Sequence, residues 1–218
     1  MIQHQGNYIV IEGNDGTGKS TQVRFLQTYF HKQGHSVVTV EEPGGGSVST
    51  TPVARYLRTI IKNGRLQRDP EINLALFSAA RRELWQHSIA PALEQDAVVL
   101  AARNYLSTLA YQGYGEGLDL DHIRKTTALF TDARYMAPDH VVVLTMNDDA
   151  ERKRRLAKRS NSAHLDAFES RADDFQHRVN NGYAALARDM ALPVVECIAP
   201  NHRKTPAEIQ AEILQIIS

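Results

Sequence analysis

The sequence predicts an α/β fold: a parallel sheet of about five strands with helices on both faces, a three-layer sandwich formed as a single domain over residues 1–218. Two observations lead there. Short, apolar, β-branched runs recur along the chain, and long stretches with apolar residues at helical spacing separate them. No repeat, low-complexity tract or linker interrupts the alternation. Strands joined through helices pair in parallel by right-handed crossovers, and ligands of such sheets sit at the carboxyl ends of the strands.

The first strand is Tyr8–Ile11, and a helix over Thr21–Lys32 follows, with Val23, Leu26 and Phe30 on one side and Gly34 as its stop. The second strand, Ser36–Val40, leads through a Pro-Gly-Gly turn to a helix over Val53–Ile61 carrying Leu57, Ile60 and Ile61. A long amphipathic stretch, Glu71–Leu93, carries Leu74, Phe77, Leu84, Ile89 and Leu93. The third strand is Ala97–Ala101. Beyond it, Gly113–Gly117 reads as a flexible loop and Leu120–Phe130 as a helix. The fourth strand, His140–Met146, precedes a helix over Ala150–Lys158. Ser160–Ala167 is polar and uncapped and reads as mobile. A helix over Arg171–Met190, a fifth strand at Pro193–Cys197 and a helix over Pro206–Ile217 complete the chain.

Between the first strand and its helix stands Gly13-Asn14-Asp15-Gly16-Thr17-Gly18-Lys19-Ser20-Thr21, the G-x-x-x-x-G-K-[ST] pattern of a phosphate-binding loop. The chemistry asks for these residue types. Glycines let the backbone aim successive N–H groups inward, and the helix start adds the positive end of its dipole. Lys19 reaches the β and γ phosphates and the Ser20 hydroxyl can ligate Mg²⁺. The strand before the motif and the helix after it meet its context requirement, so the chain is expected to bind a nucleoside triphosphate.

Composition narrows the setting. Lys plus Arg and Asp plus Glu are 25 each, so net charge is zero, which argues against a nucleic-acid-coating surface. One cysteine, Cys197, allows no disulfide within the chain and fits a reducing cytoplasm. Nine histidines lack metal-ligand spacing. No apolar run approaches the ~18 residues of a spanning helix.

Other carboxyl ends are chemically loaded as well. Glu41 and Glu42, before Pro43, read either as solvated loop acids or as carboxylates facing the site. Arg103 follows the third strand. Glu151-Arg152-Lys153-Arg154-Arg155-Leu156-Ala157-Lys158-Arg159 reads either as a solvated basic face or as a lid over transferring phosphate, in a segment around 150–170.

Taken together, Ile11 through Thr21, Glu42-Pro43-Gly44-Gly45, Phe77-Ser78-Ala79-Ala80-Arg81 and Ser107 through Gly113 resemble the thymidylate kinase family, of the P-loop nucleoside monophosphate kinases. The resemblance implies transfer of the ATP γ-phosphoryl group to dTMP, giving dTDP, with Mg²⁺, in a homodimer. It also implies residue roles. Phe77 stacks on thymine, although its helical spacing equally fits core packing. Arg81 donates to the thymine O4 carbonyl, Thr108 bonds the N3 edge, and Gln112 lies beside it. Tyr111 packs near the sugar 2′ carbon and Asp15 takes the 3′-OH. Arg103 and Arg58 hold the dTMP phosphate, Ser107 and Glu42 line the substrate site, and Ser20 with Glu42 holds the metal. Position 16 is Gly where some members carry a catalytic arginine, so Arg154, Lys158 and Arg159 become the expected lid cations beside Lys19 and Arg103.

Three positions depart from the family pattern. Ala102 stands where an aspartate precedes the arginine, Glu41 where an arginine precedes Glu-Pro-Gly-Gly, and Ala167 where the lid has an arginine. The first weakens metal handling unless Glu41 or Glu42 substitutes. Together they leave open a kinase for a related pyrimidine nucleotide such as dUMP, or a catalytically weak nucleotide-binding protein. The guanine-reading Asn-Lys-x-Asp pattern of GTPases is absent.

Overall fold

The computed structural model describes residues 6–46, 51–160, 167–168, 171–199 and 201–218. At its centre runs β1 (Tyr8–Gly13), every residue of which is buried. Parallel neighbours flank it: β4 (Val98–Ala102) on one side and β5 (His140–Thr145) on the other. β2 (Val37–Glu41) extends the sheet beyond β4, and β6 (Val194–Glu196) beyond β5. These five parallel strands are those expected from the sequence. A two-residue antiparallel strand, β3 (Gly45–Gly46), adds a sixth at the β2 edge, giving the order β3-β2-β4-β1-β5-β6.

Strand side chains alternate between faces, so the sheet feeds two cores. Tyr8, Val10, Val99 and Ala101 pack on one face. Ile9, Ile11, Leu100 and Val142 pack on the other, with Val23 and Leu26 of α1 (Lys19–Lys32) and Ile209 and Ile213 of α10 (Pro206–Ile217). Burial on both faces is why the strands read as continuous apolar runs rather than alternating ones. The first face is covered by α3 (Pro70–Leu84), α4 (Ala90–Glu94), α5 (Tyr105–Thr108) and α9 (Asp173–Asp189). α2 (Pro52–Lys62) packs on α3, and α6 (Leu120–Phe130) and the short α7 (Ala133–Met136) follow. α8 (Asp149–Ser160) rises from β5 over the loop after β1. A small hairpin, β7 (Ile198–Ala199) with β8 (His202–Arg203), precedes α10.

Two expectations change. The stretch Glu71–Leu93 is not one regular helix: a π-helical turn, Trp85–Ile89, joins α3 to α4. The segment read as a flexible loop at Gly113–Gly117 is instead mostly ordered. α5 continues as π-helical turns over Leu109–Gly115, with Gly113 and Gly115 buried. The glycines serve packing there: a Cβ at Gly115 would stand 2.6 Å from the Phe175 ring of α9. From the other side, a Cβ at Gly182 of α9 would lie 2.8 Å from both Cβ and Cγ of Tyr114. The Ser160–Ala167 segment lies, but for the backbone of Ser160 and for Ala167, outside the described residues. No helix among them is long and apolar enough to cross a membrane.

The α9 contact yields a prediction. Gly182→Ala should destabilise the fold by about 1–3 kcal/mol, because the Tyr114 backbone side cannot retreat from an added methyl. Denaturant unfolding measures it, and an unchanged midpoint would show that the helices separate freely.

Candidate active site: two clefts meeting at Arg103

The carboxyl ends of β1, β2 and β4 are aligned by register, Ile11 beside Ala102 and Ala102 beside Glu41. Two clefts open there. The first, with about 1330 Å³ of open space, runs along the β1–α1 loop and is walled by Lys19, Ser20, Glu41, Ala102, Arg155, Lys158 and Lys204. The second, with about 640 Å³, lies between Phe77, Arg81, Thr108, Tyr111, Gln112 and Phe168, with Ser107 at its wall. Asp15, Glu41 and Arg103 line both, so the clefts meet at these three residues.

The loop is built by its own backbone. Gly13 adopts φ 133°, and a Cβ there would meet the Leu144 carbonyl at 2.2 Å. Asn14 turns its side chain to Asn180 at 2.7 Å and Thr17 closes onto the Asn14 carbonyl at 2.8 Å. Gly18 is the N-cap of α1, and Ser20 and Thr21 occupy its first turn. A Cβ at Gly16 would stand 3.1 Å from Arg152 Cγ, so the glycine is what lets α8 sit against the loop.

Lys19 Nζ donates to the Asn14 carbonyl at 2.8 Å and stands 3.9 Å from Asp15. Burial, then the Arg103 charge, push its ammonium down to about 7 against the pull of Asp15. Burial alone would raise the Asp15 carboxyl, but Arg103 and Lys19 outweigh it and hold the group well below the usual range. Arg103 Nη2 donates to Asp15 at 2.6 Å, and Nη1 to Ser107 Oγ at 2.8 Å and Tyr183 Oη at 3.1 Å. Its backbone is left-handed, φ 78°, a conformation that costs a non-glycine residue about 1–3 kcal/mol and clusters at functional sites. The Tyr111 hydroxyl lies 2.9 Å from Asp15 and its ring beneath the Arg103 guanidinium.

Arg81 is wholly buried. It donates twice to Glu42, at 2.8 and 3.1 Å, and once to Thr108 Oγ1, at 3.0 Å. Tyr135 donates to the other Glu42 oxygen. Burial opposes the Arg81 charge, yet Glu42 raises its affinity for the proton above the ordinary value. Arg81 Nη1 and Gln112 Oε1 are buried without a partner. Phe77 is half-buried, with the Phe168 ring 5.7 Å away.

Several expected residues sit elsewhere. The Glu42 carboxylate is held by Arg81 and Tyr135 and lines the second cleft only, whereas Glu41 shares the first cleft with Ser20. The adjacent side chains of an extended strand end point to opposite sides, which separates the pair. Arg58 donates to the Pro43 carbonyl at 2.6 Å and to Glu41 at 3.5 Å, bracing the turn instead of lining either cleft. Arg154 is exposed and held by Glu151 at 2.7 Å. The Arg159 side chain lies outside the described residues. Lys158 reaches the first cleft, and so does Arg155, which the sequence reading passed over. Helical spacing held the signal for Arg155: Leu156 marks the inner face of α8, Arg152 and Arg155 flank it, and Arg154 lies opposite. Glu12, Tyr183 and Lys204 were missed as well. The first two are contributors only through contacts distant in sequence.

Residues 11–204 match the family model described as thymidylate kinase. The chain belongs to the thymidylate kinase family. It is similar to thymidylate kinase of Chlorobaculum tepidum, 36% identical over 214 residues, covering 96% of this chain and 95% of the relative. Thymidylate kinase of Chlorobium phaeobacteroides is 40% identical over 185 residues, covering 83% and 81%. The crystal structure of thymidylate kinase from Ehrlichia chaffeensis superposes with a TM-score of 0.75 at 25% identity, covering 98% of this chain and 100% of that one. The family is one of nucleoside monophosphate kinases, and its loop-bearing parallel sheet is the one described above.

The buried lysine makes a testable statement about stability. Its folded pKa lies below the unfolded value, so between about pH 7 and 9 the unfolded chain holds a proton the folded chain has released. Stability of the ligand-free protein should therefore rise with pH across that window, by up to about 1.4 kcal/mol per unit. Lys19→Met should lose the rise. Equal slopes for the two proteins, measured by denaturant titration, would contradict it.

Proposed function

We propose that the chain phosphorylates dTMP to dTDP with ATP, the triphosphate lying along the β1–α1 loop and the monophosphate base entering the Phe77 cleft. The observation that carries this reading is the junction: two clefts of different character meet at one arginine, Arg103. There a donor phosphate and an acceptor phosphate can be brought end to end. Two phosphates at that distance repel, and fixed cations offset the repulsion.

The residues divide the work. Loop N–H groups and Lys19 hold the donor phosphates, with Arg155 and Lys158 above them. Phe77 offers an aromatic face to the pyrimidine. Arg81 Nη1 supplies a donor for a base carbonyl and Gln112 Oε1 an acceptor for the N3 proton. Thr108 Oγ1 accepts from Arg81 and so supports it, and keeps a second lone pair and its own O–H. Asp15 is an acceptor for a sugar hydroxyl, and the Tyr111 ring stands beside it. The acceptor phosphate oxygen is anionic at neutral pH and needs no general base. Positioning, charge and the exclusion of water by α8 do the rest.

Mg²⁺ fits the oxygen set at the first cleft. Ser20 is exposed there and Glu41 shares the wall, whereas Ala102 offers only a methyl group. Water and phosphate oxygens complete such a coordination. When bound, the ion neutralises charge on the transferring group. The buried, reduced Cys197 and the nucleotide substrates fit a cytoplasmic setting.

A coupled assay with dTMP, ATP and Mg²⁺ tests the reading. Phe77→Ala should raise the KM for dTMP by about tenfold or more while leaving that for ATP nearly unchanged. Binding of ATP with no dTMP-dependent ADP formation by the unaltered protein would overturn the assignment.

We also propose a homodimer through α2 and α3. Val53, Tyr56 and Ile60 form one exposed apolar stripe on α2, Tyr56 at 73% exposure, and Ile72 of α3 is exposed as well. A stripe of this kind on neighbouring helices fits a self-complementary interface. Sedimentation should give a dimer, and Tyr56→Glu with Ile60→Glu a monomer. A monomeric parent protein would rule the interface out.

A further inference from the structure

Glu116 stands behind the base cleft rather than in it, in the turn after the π-helical segment. Its side chain is 2% exposed. Three donors converge on its carboxylate: Gln112 Nε2 at 3.1 Å, Asn73 Nδ2 at 3.0 Å and an Arg171 guanidinium nitrogen at 2.6 Å. The partners are themselves held. Arg68 donates to Asn73 Oδ1 at 2.9 Å, so Asn73 turns only its NH₂ toward Glu116. Arg171 lies over the Phe168 and Phe175 rings, 5.2 and 4.6 Å from their centres.

A carboxylate can only accept. The two ends of the Gln112 amide have nearly the same shape, so its neighbours decide which way it points. Glu116 takes the NH₂ end, and Oε1 is left on the other side, buried and without a partner. An unpaired buried acceptor is costly until something donates to it. Arg81 Nη1, an unpaired donor, lines the same cleft.

We propose that Glu116 is a specificity-determining positioning residue. By accepting from Gln112 Nε2 it locks the amide so that the cleft offers one donor, Arg81 Nη1, and one acceptor, Gln112 Oε1. That pair complements the C4 carbonyl and N3–H of a thymine-type base. It opposes the amino group and bare N3 of cytosine at both points. The inference rests on the reading of the Phe77 cleft as the base site.

The test compares dTMP with dCMP as acceptors for the unaltered enzyme and for Glu116→Gln. An amide at 116 can donate or accept, so Gln112 becomes free to turn. The kcat/KM ratio of dTMP to dCMP should fall about tenfold, the value of one buried hydrogen bond made or opposed. Arg171→Gln, which removes the ion pair but keeps the acceptor, should leave the ratio within twofold. A purely structural role for Glu116 would slow both nucleotides alike, and an unchanged ratio in Glu116→Gln overturns the proposal. Gln112→Ala separates the two layers. If it leaves the ratio unchanged, the base-site reading fails; if it moves the ratio and Glu116→Gln does not, only the positioning role fails. Should Glu116→Gln not fold, a crystal structure of the unaltered enzyme with dTMP decides. Gln112 must then touch both N3 and Glu116, and a side chain turned from either refutes the lock.

Discussion

The site hangs on the Glu12 carboxylate, wholly buried where β1 becomes the phosphate loop. It accepts from the Asn104 N–H at 2.7 Å, the Ser107 N–H at 3.1 Å, the Ser107 hydroxyl at 2.8 Å and the Tyr183 hydroxyl at 3.0 Å. With the Gly13 N–H at 3.2 Å, five donors on one buried anion offset the cost of its desolvation. They also join β1 to the end of β4, to α5 and to α9. Arg103, one residue before Asn104, is thereby over-determined: its strained backbone is clamped on the next residue, and its guanidinium is held by Ser107 and Tyr183. A cation fixed in advance stabilises developing charge without reorganising when the charge arrives.

The other charges of the site are prearranged in the same manner. Arg103 rests on Asp15, Lys19 on the Asn14 carbonyl, Arg81 on Glu42, Arg58 on Glu41, and Arg154 and Arg155 on Glu151. Each of these cations has an internal partner, in keeping with a chain of zero net charge. Some pairings support the structure, such as Arg81 with Glu42, where both groups are buried and removal of either leaves a bare charge. Others lie nearer solvent, where an ion pair is worth little. Glu41 and Ala102 belong to this pattern. The carboxylate stands one strand over from the methyl group, paired in register, so an acidic group still faces the first cleft.

Behind the second cleft, another polar layer is built around a buried carboxylate, Glu116, as the first is around Glu12. Asn73, Arg171 and Gln112 come from separate parts of the chain and converge on that one carboxylate. A reader of hydrogen-bonding faces is only as selective as the orientation of its own polar groups, and those are decided by the groups behind them.

How much could be read in advance followed from how local each signal was. The phosphate loop is nine consecutive residues, Gly13–Thr21, and its chemistry requires those types in that order. The strands were legible because burial on both faces makes them short apolar runs. Phe77, Arg81 and Tyr111 could be named because they stand in short motifs. What the sequence left open were matters of partnership. Whether Glu41 or Glu42 faces Ser20, or whether Arg154 or Arg155 enters the cleft, depends on which face of a strand or helix meets another element. The π-helical turns at Leu109–Gly115 pack against α9, some sixty residues onward, through a glycine where a Cβ would meet the Phe175 ring. Glu12 meets Tyr183 across 171 positions and Arg81 meets Glu42 across 39. A sequence alone thus determined which chemical groups the protein carries and the sheet that bears them. Only the tertiary fold decided which charge neutralises which, because pairing energy depends on distance and burial, and neither is written in the spacing along the chain.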